Sequence, residues 1–138
     1  MLNILEKDSD IKDLIDASKT IVVVGLSPDP NKQSYEVASY LQAKGFKIVP
    51  VHPEAQEILG EKVYRSLSEI PFPIDIVDVF RRPEFIPAVV EETIKIKPKA
   101  VWMQLGISHD QAAQNAASHG IKVVQDRCLL IEHKRLCR

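Results

Sequence analysis

Runs of apolar residues alternate about five times with segments of helical period, which predicts an α/β fold. The expected architecture is three layers, a five-stranded parallel sheet with helices on both faces, joined by right-handed crossovers. Three observations carry this. Thr20-Ile21-Val22-Val23-Val24 is β-branched with no polar interruption, which suits a strand buried on both faces. Glycine or proline stands where the runs and the helical segments end, at Gly25, Gly45, Pro71, Pro73 and Gly120. The segments between the runs place apolar residues three and four apart.

Residues 9–18 form the first predicted helix, with Ile11, Leu14 and Ile15 on one face and Asp10 and Asp13 in its early turns. The first strand follows and ends at Gly25. Two prolines and an asparagine fill the next loop, and Ser34 is the expected N-cap of a helix over 34–44, closed by Gly45. Residues 46–51 read as a second strand running into Val49-Pro50-Val51-His52-Pro53. Residues 54–73 are less regular; Ser66-Leu67-Ser68-Glu69 has capping-box spacing and suggests one helical turn. A third strand is expected over 74–80. Pro83 fits the first turn of the next helix, and Pro87 either falls in that turn or restarts the helix after a kink. Ala100–Met103 is a fourth strand. Ser108-His109-Asp110-Gln111 opens an alanine-rich helix ending near Gly120, and residues 121–124 are a fifth strand. The chain closes with a helix or an extended tail.

The 138 residues correspond to a single domain over 1–138, long enough for a core without staples. A net charge of −1 gives no basic surplus for nucleic acid. Cys128 and Cys137 lack zinc spacing and are expected to be free thiols in a reducing cytoplasm. No stretch suits a membrane span or a signal peptide, so no membrane partner is expected.

In an open sheet of this kind a ligand sits beyond the carboxyl ends of the strands, where strand order reverses. The first exit joins a strand, a loop and a helix N-terminus, which together suit a phosphate or pyrophosphate, and Lys32 adds a full charge. The loop has only Gly25 of the three glycines of a dinucleotide fingerprint, and no Walker loop occurs. The second strand exit carries no carboxylate until Glu54, which speaks against NAD and is compatible with another adenine-bearing diphosphate. A small NAD(P)-dependent oxidoreductase on a degenerate site stands as the alternative.

Gly25-Leu26-Ser27 with Ser34-Tyr35, Val49-Pro50-Val51, Asp75 to Arg81, Trp102 to Gly106 and Asp126-Arg127-Cys128 occur in an order that resembles the stand-alone CoA-binding protein family. That family is similar to the N-terminal CoA-binding domain of the succinyl-CoA synthetase α-subunit. The resemblance runs from about residue 9 to about residue 133. It implies a Rossmann-like fold and coenzyme A, or an acyl-CoA, as ligand. It implies phosphates at Gly25, Leu26, Ser27, Asn31, Lys32, Ser34 and Tyr35, and the adenosine end at Val49, Pro50, Val51, Phe80, Arg81 and Arg82. Pro50 and Phe80 would flank the adenine, and Gln104 would address the pantetheine arm. Lys32 stands where family members commonly have arginine, a point charge in place of a fork. The synthetase's phosphorylated histidine lies in a second domain, for which no counterpart is expected here.

No catalytic centre is expected. His52, His109, His119 and His133 form no triad or metal pattern. His109 and His119 are expected in solvent, His133 in a structural role, and His52 either at the ligand or not. Asp78 is expected to accept backbone N–H groups of a neighbouring loop, Asp126 and Arg127 to pair with each other, and Trp102 to lie in the core. Cys128 is expected to be buried and inert, with a reactive thiol as the alternative. Arg81 and Arg82 either pair with surface carboxylates or reach ligand phosphate.

Overall fold

The computed structural model describes residues 2–137. The elements are α1 (Asp8–Asp16), β1 (Thr20–Val24), α2 (Gln33–Ala43), β2 (Lys47–Val51), β3 (Glu57–Ile58), β4 (Glu61–Lys62), β5 (Ile76–Val79), α3 (Ile86–Ile96), β6 (Ala100–Met103), α4 (Asp110–Ser118), β7 (Lys122–Val124) and α5 (Leu129–Leu136). Five strands form one parallel sheet in the order β2-β1-β5-β6-β7. The expected Rossmann-like sheet is therefore present. The chain leaves β1 toward β2 and returns to β5 on the other side, so the order reverses between β1 and β5.

The unbroken apolar runs follow from burial on both faces. Ile21 and Val23 join Ile76, Trp102 and the inner residues of α1, α2 and α5. Val22 and Val24 join Val77, Val101, Met103 and the inner residues of α3 and α4. Four alanines, Ala112, Ala113, Ala116 and Ala117, form the buried face of α4. Trp102 is fully buried as expected, and its indole Nε1 donates to the Arg127 carbonyl at 2.7 Å.

Both sheet edges are partly covered. On the β7 side, Leu5 donates to the Val123 carbonyl at 2.8 Å, and Val123 donates to Asn3 at 2.7 Å. On the β2 side, Tyr64 donates to the Pro50 carbonyl at 3.0 Å. Within a strand, the N–H and C=O of one residue point the same way. The missing N–H of Pro50 therefore faces this outer side, and the pairing with β1 loses nothing.

Several local expectations change. Ser34 does not cap α2: Lys32 is the N-cap residue, and no side chain caps the helix. Ser108 does not cap α4: His109 does, its Nδ1 accepting the Ala112 N–H at 3.1 Å. The turn at Leu67–Glu69 forms as a 3₁₀ turn, but Ser66 makes no capping bond. Pro87 falls in the first turn of α3 and the tail is the helix α5. The β3–β4 hairpin was not foreseen. Its strands are two residues each, joined by Leu59 and Gly60, both with positive φ, as a tight two-residue turn requires.

Gly25 is fixed by the sheet. Its φ is +85°, and a Cβ there would lie 2.4 Å from the Phe80 carbonyl oxygen. Gly45 also has positive φ, but a Cβ would meet nothing within 4 Å. Gly25→Ala is expected to lower the unfolding free energy by roughly 2–4 kcal/mol and Gly45→Ala by about 1 kcal/mol, read by urea denaturation. Equal losses would contradict a steric requirement at Gly25.

Candidate functional site

The exits of β1 and β5 form the two sides of a crevice. At the first exit, Gly25 donates to the Val51 carbonyl at 3.2 Å, and Leu26 is buried beneath the loop. The loop then holds itself by its own polar side chains. Ser27 donates its N–H to Ser34 Oγ at 3.0 Å, and Asp29 donates to Ser27 Oγ at 3.0 Å. Asn31 donates to Asp29 Oδ1 at 2.9 Å, and Lys32 donates to the Asp29 carbonyl at 3.0 Å. The buried Ser34 hydroxyl thus ties the start of the loop to the start of α2.

The first hydrogen bond along the α2 axis comes from Glu36 to the Lys32 carbonyl at 3.1 Å. The N–H groups of Gln33, Ser34 and Tyr35 have no partner among the described residues, as at any uncapped helix start. With Lys32 exposed beside them, they make an electropositive rim of three convergent donors. Asn31 is also exposed at this rim.

At the exit of β5, Phe80 is half-buried and donates its N–H to the Val24 carbonyl at 2.9 Å. Arg81 stacks over Phe85, with Cζ 4.4 Å from the ring centroid. Arg82 lies 5.9 Å from the same ring, and its Nε is 3.7 Å from Glu84. A cavity of about 360 Å³ opens between the β5 and β6 exits, lined by Gln33, Phe80, Arg81, Arg82, Pro83, Gln104, Leu105, Gly106 and Ile107. Gln33, which sequence reasoning missed, joins the helix start to this cavity. Its position as the first residue of α2 was the only signal.

The β2 exit differs from expectation. Val49, Pro50 and Val51 are all buried, and Pro50 lies two strands from Phe80. Pro50 therefore offers no open face opposite Phe80. The partly exposed residue here is His52, whose Nδ1 accepts the N–H groups of Glu54 at 3.0 Å and Ala55 at 2.9 Å. That ring nitrogen holds a turn and leaves only Nε2 for other contacts.

Other titratable groups are tied into the fold. His133 Nδ1 pairs with Tyr40 Oη at 2.7 Å, the structural role expected, and burial holds its pKa below the usual histidine value. His119 Nδ1 lies 2.8 Å from the Asn115 carbonyl. Asp126 and Arg127 do not pair with each other: Asp126 accepts the Gly106 N–H at 2.7 Å, and Arg127 lies 3.6 Å from Glu132. Cys128 is buried at the N-cap of α5. No group of three or more metal-ligating residues occurs among the described residues. Among them, no helix is long and apolar enough to cross a membrane.

Asp78 departs most from expectation. It is fully buried on β5 between Val23 and Trp102, and neither carboxyl oxygen has a hydrogen-bond partner. It accepts no backbone N–H. Burial raises its pKa well above the usual carboxylate value. Gln104 is almost as buried, and its Oε1 accepts the Leu129 N–H at 3.1 Å, tying the start of α5 to the exit of β6.

A larger cavity of about 750 Å³ lies between α3 and α4, lined by Pro87, Glu91, Gln111, Asn115 and neighbours. It is lined by the first turns of α3 and α4 and the side chains beyond them, and it contains no strand exit. The β1–β5 crevice joins strand exits to an uncapped helix start, so it is the better candidate for an anionic ligand.

Comparison with known proteins gives the family of the chain. The sequence model of the CoA binding domain matches residues 19–134. YneT of Bacillus subtilis is 41% identical over 125 residues, covering 91% of this chain and 93% of that protein. The structure of a hypothetical protein from Pyrococcus horikoshii superposes with a TM-score of 0.92 at 36% identity, over 96% of this chain and 94% of that one. An ADP-forming acetate–CoA ligase of Archaeoglobus fulgidus is 29% identical over 126 residues, covering 83% of this chain but only 19% of the ligase.

The burial of Asp78 has a measurable sign. A carboxyl whose folded pKa is raised contributes fully below the unfolded value, near 3.8, and loses that contribution as pH rises through the folded pKa. Urea unfolding of the protein and of Asp78→Asn, compared from pH 4 to pH 8, is expected to show the native protein losing stability relative to the variant as pH rises. A constant difference would contradict an unpartnered carboxyl.

Proposed function

The chain belongs to the CoA-binding domain family, and on that premise we propose that it binds coenzyme A in the β1–β5 crevice without a catalytic centre of its own. The observation that carries this reading is the trio of unpartnered N–H groups at Gln33, Ser34 and Tyr35 beside Lys32. A diphosphate brings charge and acceptors to a helix start that has donors and none to pair them with. Gly25 lets the backbone come close, and the Ser27–Ser34 bond holds the loop open in advance.

The adenosine end lies toward the β2 exit and the pantetheine arm toward the cavity at Gln104. A volume of about 360 Å³ suits the arm and not the whole cofactor. The β2 exit presents His52 where a dinucleotide site would place a carboxylate for the ribose, which favours CoA over NAD. The Archaeoglobus relative acts on CoA by its name, and this chain matches only a fifth of it. That likeness supports CoA as ligand and brings no ligase chemistry with it.

Calorimetry with CoA, NAD and ATP tests the reading. CoA is expected to bind best, and equal binding of all three would reject it. Lys32→Ala is expected to weaken CoA by up to about fivefold at low salt, with the loss shrinking as salt rises. Ser34→Ala frees the Ser27 N–H and is expected to weaken CoA by an amount that salt barely changes.

A further inference from the structure

The cavity of about 360 Å³ is walled on its β6 side by one turn, Gln104 to Ile107. Ile107 donates its N–H to the Gln104 carbonyl at 2.8 Å, and Gly106, third of the four residues, has a φ of +85°. Leu105 is not among the residues with positive φ, so this is a type II turn. A type I turn over the same residues turns the Leu105–Gly106 peptide over and exchanges the places of its N–H and C=O. Glycine accepts either conformation, so Gly106 does not choose between them.

The choice is made from outside the turn, by Asp126 after β7. Its Oδ1 accepts the Gly106 N–H at 2.7 Å, and its own N–H reaches the Ile107 carbonyl at 3.0 Å. Asp126 has a φ of 55°, in the left-handed region. Aspartate tolerates that region better than most residues, and glycine would take it without strain. What aspartate adds there is a side-chain oxygen, and that oxygen meets the one N–H whose direction separates the two turns. The next residue is anchored to β6, because the Arg127 carbonyl accepts the indole N–H of buried Trp102 at 2.7 Å.

The consequence lies on the other side of the turn. β6 stands between β5 and β7, the cavity opens toward β5, and Asp126 follows β7. In a trans peptide the C=O points opposite to the N–H, so the Leu105 carbonyl points away from Asp126, to the cavity side. Gly106 has no side chain, so the backbone of the turn itself lines the cavity. The Leu105 carbonyl accepts no backbone N–H among the described residues. Beside it, Gln104 Nε2 is buried without a partner among them. The turn thus offers an acceptor and a donor to the arm of CoA, whose amides carry both N–H and C=O.

We propose that Asp126 is a positioning residue for the pantetheine arm: by holding the Gly106 N–H it keeps the Leu105 carbonyl turned to the cavity, where that carbonyl accepts an amide N–H of the arm. This rests on the reading of the crevice as a CoA site. Asp126 lines no part of this cavity and acts only through Gly106.

Calorimetry of the full chain with CoA and with adenosine 3′-phosphate 5′-diphosphate, which is CoA without its arm, tests it. The ratio of the two affinities reports the arm alone, and the native protein is expected to bind CoA at least about tenfold more tightly. Asp126→Gly allows the same backbone and removes the acceptor, and is expected to cut that ratio by roughly three- to tenfold, as for one hydrogen bond. Asp126→Asn, which keeps Oδ1, is expected to retain the ratio. Asp126 is exposed, so neither variant opens the core. Amide hydrogen exchange at Gly106 in the unliganded protein is expected to speed up in Asp126→Gly and not in Asp126→Asn. A native ratio in Asp126→Gly, or an equal loss in Asp126→Asn, would overturn the proposal. If the native protein binds both ligands equally, the diphosphate site stands and the proposal falls. If it binds neither, the CoA site falls with it.

Discussion

Gly25 and the Phe80 carbonyl approach each other so closely at the split of the sheet that no side chain fits between them. β1 and β5 are neighbours in the sheet although some fifty residues separate them in the chain. Their exits must part there, one toward α2 and one toward α3. The glycine lets the first loop turn against the second exit without displacing it. The crevice, the uncapped start of α2 and the cavity at Gln104 all take their positions from that contact.

The rim of unpaired donors follows from restraint inside the loop. Side chains that could have filled the crevice are engaged elsewhere: Ser27 and Asp29 with the loop backbone, and Ser34 with Ser27. Arg81 and Arg82 lean toward Phe85, one stacked and one also near Glu84. What remains unengaged is backbone N–H at the helix start and the exposed Lys32. A site made of amides is set by the path of the chain, so it depends less on side-chain identity than a site built from a charged pair.

The sheet was legible because burial on both faces leaves a strong local mark, as in Ile21 to Val24. Proline and glycine gave the element ends for the same reason: their constraints are local. The β3–β4 hairpin left no such mark, since its strands are two residues long. The role of Ser34 was misread because a serine near a helix start fits a cap by sequence alone, and its true partner is seven residues upstream. Pro50 looked available at a strand end until Tyr64 came over the edge beside it. For Asp78, a carboxylate set among Ile76, Val77 and Val79 was a visible anomaly. Only the packing of β1 and β6 against it shows that no donor reaches it.

The reading that a diphosphate sits on the backbone at the head of α2 can be followed by backbone amide NMR during a titration with CoA. The largest shifts are expected on Gln33, Ser34 and Tyr35, followed by Gly25 and Gln104. Shifts confined to residues of the α3–α4 groove, with the start of α2 unmoved, would contradict it.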